Sequence, residues 1–312
     1  ARHLFATAIT PDGSVSHLET VVDHLQKRYI INGDDGTGKT TLCTALGGLF
    51  KNIIIADCDV DAANTALIFK TDLIKTYDYI GSRKAFIDHG KCISCFACVE
   101  KCRFGAITPK NEKPFINSIS CEGCGLCAKI CPADAISFSV EKAGEYYISK
   151  EGNITLVHAQ LYPGEDTSGK LIAQVRKTAL ELAQTENYSM ILIDGSPGIG
   201  CAAISSITAV NHVIIVTEST LSGLHDLKRI VSVTEKLRRP FWVVINKSDL
   251  NPAITEQISK YCESLNIKVL GCIPYDKTVV KAIQEEKSIL EYDCPARNSV
   301  IEIYEKLRGE IL

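Results

Sequence analysis

The stretch YIINGDDGTGKTT, residues 29–41, leaves a chain few folds to choose from. A short apolar run leads into a loop of the form G-x4-G-K-[ST], and TLCTALGGL after it has helical apolar spacing. Strand, loop and helix in that order form a phosphate-binding turn. Gly33 and Gly38 let backbone amides face phosphate, Lys39 neutralises it and Thr40 offers a magnesium ligand, with Gly36, Thr37 and Thr41 in the same cradle. Four more apolar runs, NIIIADCDVD, SMILIDGSPGIG, HVIIVTEST and FWVVINKSD, read as strands of a parallel sheet. Each ends in polar residues, and open α/β sheets bind ligands at the carboxyl ends of their strands. The expected fold is α/β, a mostly parallel sheet flanked by helices.

Eight cysteines interrupt this pattern. Cys92, Cys95, Cys98 and Cys102 form one C-x2-C-x2-C-x3-C run, and Cys121, Cys124, Cys127 and Cys131 form a second. The spacing is that of bacterial two-cluster ferredoxins, where three thiolates of a run hold one cubane and the fourth reaches the other. It predicts one 4Fe-4S cluster on Cys92, Cys95, Cys98 and Cys131, and a second on Cys121, Cys124, Cys127 and Cys102. Paired C-x2-C also occurs in structural zinc sites, but two such runs overfill a tetrahedral ion. Gly123, Gly125 and Ala97 permit close chain approach. Pro132 follows the last cysteine of the second run, whereas Arg103 stands at that place in the first, a change expected to touch shielding and potential rather than ligation.

GAIT after Cys102 and DAISF after Cys131 recur at the same offset. Residues 85–140 therefore read as an internally duplicated α+β ferredoxin module inserted into one larger domain, 29–84 and 141–312, with 1–28 as a leader. In that leader PDGS reads as a turn and HLETVVDHLQKR as an amphipathic helix. Fourteen cysteines in a chain of 312 residues, eight of them in ligand runs, fit metal binding in a reducing compartment better than disulfides. The net charge of -3 gives no polyanion-binding surface, and no apolar run is long enough to span a bilayer. These features predict a cytoplasmic protein with neither nucleic acid nor membrane as partner.

The stretches DCDVDAANT, LYPGEDTSGKLIAQVRK, DGSPGIGCAAISSITAV, TESTLSGLHDLKRI and INKSDLN resemble the MinD/ParA-type P-loop ATPases, in the subgroup with an inserted two-cluster ferredoxin domain. The likeness covers roughly residues 29–290. It implies a homodimer sandwiching two ATP molecules with Mg2+. Asp59 matches the acid that orients the attacking water, with Asp57 beside it at the metal; Asp194 matches the acid of the magnesium shell. Gly198 falls where the second switch approaches the γ-phosphate, and Asn246 matches the adenine reader. The family's loop begins G-K-G-G, but this chain reads Gly33, Asp34, Asp35, Gly36, so its signature lysine is missing. Two carboxylates beside a triphosphate would repel it, and both are expected to point to solvent.

NKSD also matches a guanine-reading loop, with Asp249 as its carrier. Cys43, Cys58, Cys201, Cys262, Cys272 and Cys294 lack ligand spacing and read as buried thiols, and His158, His212 and His225 as structural histidines. The tail SVIEIYEKLRGEIL has as many acids as bases on its polar face and is expected to pack on the sheet. The function that follows is an ATP-hydrolysing iron-sulfur protein whose nucleotide cycle is coupled to electron transfer through, or assembly or delivery of, its clusters, with an unidentified redox or cluster partner protein. A non-catalytic nucleotide- and redox-responsive regulatory module is the alternative.

Overall fold

The apolar runs become neighbouring strands because each is flanked by residues buried on both faces. The computed structural model describes residues 27–60, 64–163, 165, 168–208 and 210–311. The turn and most of the helix expected in the leader lie outside the described residues. The strands are β1 (Lys27–Gly33), β2 (Ile53–Asp57), β3 (Asp72–Ile87), β4 (Ile107–Lys110), β5 (Lys113–Ile116), β6 (Ile136–Glu151), β7 (Ile154–Leu161), β8 (Met190–Asp194), β9 (His212–Glu218), β10 (Phe241–Asn246) and β11 (Val269–Ile273). The helices are α1 (Lys39–Leu49), α2 (Thr65–Ile68), α3 (Ala97–Lys101), α4 (Leu126–Lys129), α5 (Ser168–Thr185), α6 (Cys201–Ile207), α7 (Leu221–Lys236), α8 (Pro252–Ser264), α9 (Lys277–Gln284) and α10 (Pro295–Ile311).

Nine strands form one sheet in the order β11-β10-β9-β1-β8-β2-β7-β6-β3. From β11 to β7 every pairing is parallel; β6 and β3 add antiparallel strands at one edge. Alternation then divides the core. Ile30, Ile54, Ile191 and Ile215 face α5, α7 and α8, while Tyr29, Ile31, Ile53 and Ile55 face α1 and α10. The tail helix buries Val300, Ile303 and Leu307 on that second face, as its spacing predicts. Among the described residues no helix is long and apolar enough to cross a membrane.

β3 and β6 are the unusual strands. Each runs sixteen residues, and their ladder extends from Asp72↔Lys150 to Ile87↔Ile136 with shifts at Leu73/Lys75, Tyr79/Ile80 and Ile80/Arg83. Only Gly144–Glu151 of β6 pairs with β7, so the far part of the ladder leaves the sheet as a two-stranded arm. The sequence boundaries at 85 and 140 fall inside these two strands. Beyond them lie α3, α4 and the β4-β5 hairpin.

His158 on β7 stacks on Tyr147 of β6, with ring centroids 5.0 Å apart, and its Nε2 lies 3.1 Å from Ser149 Oγ. Burial pushes its imidazole down to about 4. Because the folded protein then binds fewer protons than the unfolded chain, this site stabilises above the ordinary histidine value and loses that contribution as pH falls toward 4. His158→Gln should therefore flatten the acid limb of a denaturation series. The wild-type loss attributable to this residue between neutral pH and pH ~4 is on the order of 2 to 3 kcal/mol.

Candidate functional site

The phosphate loop sits at the carboxyl end of β1, between β8 and β9. Gly33 is required there: a Cβ would lie 2.3 Å from the Val216 carbonyl oxygen of β9. Lys39 is buried, and its Nζ donates to the Asp34 carbonyl at 2.7 Å, holding the loop in its turn. Burial lowers its pKa, opposed by Asp194, Asp35, Asp59 and Asp34. Asn246 Nδ2 donates to the Thr37 carbonyl at 2.8 Å, and its Oδ1 accepts from the Lys247 amide at 2.9 Å. Asn246 is thereby a brace of the phosphate loop. Asp249 Oδ1 accepts from the Tyr275 amide at 2.6 Å, which ties the NKSD loop to the segment after β11.

Asp57 and Asp194 are register partners on β2 and β8, both buried. Asp57 accepts from the amides of Asp59 (3.0 Å) and Thr65 (3.3 Å); Asp194 Oδ2 accepts from the Thr65 hydroxyl at 3.4 Å. Burial raises both carboxyls above the usual range; the negative charge of Asp57 raises Asp194 further, against the Thr40 hydroxyl and Lys39. Asp194 Oδ1 and both side-chain polar atoms of Asn32 are buried without a hydrogen-bond partner among the described residues. An orphaned carboxylate oxygen beside a hydroxyl and a second acid is a donor set that fits Mg2+. Asp59 follows on the segment leading to residues 61–63, which lie outside the described residues.

Of the two loop acids, Asp35 is exposed as expected and Asp34 is half-buried. Asp35 Oδ1 turns back to accept from the Gly36 amide at 2.9 Å. Asp34 lies beside Asp226 of α7, lining with it a cavity shared with Gly198 and Arg229. Lys247, Thr65 and Asn32 were missed by sequence reasoning. Lys247 was in plain view in NKSD: its Nζ donates to the Gly36 carbonyl at 3.1 Å and pairs with Glu218 at 2.7 Å. Thr65 and Asn32 carry no local signal. Cys43, Cys58, Cys262 and Cys294 are buried as expected, but Cys201 and Cys272 are exposed, one opening α6 and the other on the edge strand β11.

All eight run cysteines lie at the end of the arm, and none is in a disulfide. One cavity is lined by Cys92, Cys95, Cys98 and Cys131, the other by Cys102, Cys121, Cys124 and Cys127. Each set takes three thiols from one run and its fourth from the other. The duplication extends to the backbone. Ser94, Phe96, Phe104's neighbour Gly105 and their counterparts Gly123, Gly125 and Asp134 all have positive φ, so the backbone turns the same way at matching places in both halves. Turns of this kind build the amide nests common around iron-sulfur centres. The Ala135 amide already donates to Cys131 Sγ at 3.3 Å. Gly123 is again obligatory, since a Cβ there would lie 2.0 Å from the Arg83 carbonyl oxygen. Among the described residues no group of three or more His, Cys, Asp or Glu is placed to hold a single metal ion. Four thiols around a largely apolar cavity are instead a donor set that fits a cubane.

Two backbone hydrogen bonds and an ion pair join the two regions, and a second ion pair crosses the arm. The Leu161 amide at the end of β7 donates to the Val60 carbonyl, just past Asp59, at 3.3 Å. The next amide, Tyr162, donates to the Ala143 carbonyl of β6 at 2.8 Å, and Lys142 Nζ pairs with Asp78 across the arm at 2.8 Å. Lys84 of β3, buried, pairs with Glu165 at 3.6 Å.

The raised carboxyl pair predicts that Mg2+-nucleotide binding expels a proton. Calorimetric titration at neutral pH in two buffers of different ionisation enthalpy should show net proton release in the wild type, and release should vanish in Asp194→Asn.

Residues 29–289 match the CobQ/CobB/MinD/ParA nucleotide binding domain. The Methanocaldococcus jannaschii protein MJ0578 is 32% identical over 287 residues, covering 91% of this chain and 97% of that one. MJ0579 of the same organism is 29% identical over 283 residues, covering 88% and 94%. Among solved structures, the cell division ATPase MinD of Pyrococcus furiosus superposes with a TM-score of 0.55 at 17% identity, covering 92% of this chain and 99% of that one. MinD of Pyrococcus horikoshii, complexed with Mg-ADP, gives 0.56 at 19%, covering 92% and 97%. At those identities the likeness is one of fold, a MinD-like P-loop architecture. The matched span includes the phosphate loop, both buried acids and Asn246, and the chain belongs to the CobQ/CobB/MinD/ParA nucleotide-binding family.

Proposed function

We propose that the chain is an ATP-binding and ATP-hydrolysing iron-sulfur protein, acting as a homodimer, whose nucleotide cycle is coupled to its clusters. The observation that carries this reading is the pair of four-thiol cavities, each drawing its fourth cysteine from the other run, at the end of an arm continuous with the nucleotide sheet. In it, residues 85–140 act as a ferredoxin module and 29–84 with 141–312 as the ATPase.

Lys39 and the amides of Gly36 to Thr41 hold the phosphates, Thr40, Asp57 and Asp194 hold Mg2+, and Asp59 orients the attacking water. ATP is taken as the nucleotide from the family the chain belongs to, with Asp249 holding the NKSD loop to Tyr275. The metal groups supply phosphate charge neutralisation at one end and one-electron exchange at the other. The chain supplies the link: Val60, Leu161, Tyr162 and Ala143 run in hydrogen-bonded sequence from the switch segment to the arm. Its task is electron transfer to a redox partner, or assembly or delivery of a cluster to a client protein.

A second reading, a regulatory module that binds nucleotide without turning it over, is favoured by Asp34, whose carboxyl faces Asp226 where the family carries a lysine. Anaerobically purified protein separates the readings. The proposal expects about eight iron per chain, halved in Cys92→Ala/Cys95→Ala. It also expects ATP turnover that falls about a hundredfold or more in Lys39→Ala. Eight iron and tight ATP binding without turnover would favour the regulatory module. A rate that responds to cluster reduction would favour electron transfer, and iron passing to an apo acceptor would favour delivery.

A further inference from the structure

The two halves of the cysteine module repeat in sequence and backbone, but their charges do not. The fourth cysteine of the first run, Cys102, stands between Lys101 and Arg103; its counterpart Cys131 stands between Ile130 and Pro132. Because the fourth cysteine crosses over, both flanking cations enter the cavity of the second run. Lys129 lines the same cavity, with Glu122 as its one acid. From outside, Arg83 of the arm donates Nε–H to the Gly123 carbonyl at 3.0 Å, between Cys121 and Cys124, with its guanidinium over the Phe138 ring at 4.5 Å. The cavity of Cys92, Cys95, Cys98 and Cys131 has no charged side chain in its lining, only residues such as Ile87, Ile93, Phe96 and Pro114.

We infer that the two cluster sites are electrostatically unequal, and that an electron given to the module rests at the Cys102, Cys121, Cys124 and Cys127 site. The inference rests on the reading of both cavities as 4Fe-4S sites. Reduction takes one electron from an external one-electron donor and adds one negative charge to the cluster and its thiolates. Cations beside the site stabilise the reduced form, whereas an apolar surround opposes the added charge. Water access does not reverse the order, because each site has one exposed ligand, Cys124 or Cys95. Two differences remain, the cation set and the burial of Cys98 against the half-buried Cys127, and both favour the added charge at the same site. Arg103 thus acts as a positioning charge for the electron, at the place where the duplicate carries proline.

The test is a reductive titration of the full chain followed by electron paramagnetic resonance, after iron and sulfide analysis of every variant. Wild-type protein with far fewer than eight iron fails the parent reading before any electron is added, so the two failures are distinct. With both clusters present, the first signal to appear should be altered in Cys124→Ser and kept in Cys95→Ser. Lys101→Gln/Arg103→Gln/Lys129→Gln, all at exposed positions, should lower the reduced-to-oxidised ratio of that site about tenfold at fixed potential. The other site should stay within about twofold, as should both sites in the control Lys110→Gln on the hairpin. A first signal altered by Cys95→Ser instead, or a triple variant that moves neither site or both equally, would overturn the inference.

Discussion

Everything distinctive in this molecule depends on one antiparallel ladder. The ladder of β3 and β6 runs from Asp72↔Lys150 to Ile87↔Ile136, yet only Gly144–Glu151 of β6 is paired with β7. Backbone amides and carbonyls removed from water must find partners, so the two strands satisfy one another all the way out to the thiols. That makes the arm a single element rather than a tether. In the proposed coupling, a displacement at its root, where Lys84 meets Glu165 and Tyr162 meets Ala143, would be carried outward as a movement of the whole ladder.

The root lies close to the electrostatic centre of the other half. Two buried carboxyls on adjacent strands, a buried lysine and an orphaned carboxylate oxygen are an unfavourable set when left alone. Thr65 links the pair by binding Asp57 through its amide and Asp194 through its hydroxyl, and Asp59 donates to Asp57 through its own. A divalent cation held by Thr40, Asp57 and Asp194 would relieve that repulsion, and Asp57 begins the segment that leads to Val60. Since Val60 is bonded to the end of β7, the phosphate site and the arm share a boundary.

Much of this was legible in the sequence because it is encoded locally. The G-x4-G-K-[ST] loop and the runs that became β2, β8, β9 and β10 are short segments whose apolar residues need no knowledge of the rest of the chain. The grouping of the thiols was legible through the ferredoxin pattern that the two runs follow, and each cavity is lined by three cysteines of one run and the fourth of the other. β3 was not: DLIKTYDYIGSRKAFI mixes charges with apolar residues because one half belongs to a sheet edge and the other to an exposed arm. Arg83 was invisible because its partner Gly123 is forty residues away. Asp34 was read as solvated because nothing in the loop marks Asp226 on α7 as its neighbour. Asn246 is expected to contact the base, and its further bond to the Thr37 carbonyl is a pairing that only the fold creates.

The central proposal is that nucleotide and electron act on one another through the arm. Linkage requires any such effect to be reciprocal at equilibrium. The most direct measurement is the pair of cluster reduction potentials in protein without nucleotide, with Mg-ADP, and with a non-hydrolysable Mg-ATP analogue. The account predicts that at least one potential differs between the ADP and ATP-analogue forms, and that the affinity ratio for the two nucleotides changes by the same factor on reduction. Potentials that are identical in all three states, in protein carrying both clusters and saturated with nucleotide, would contradict it.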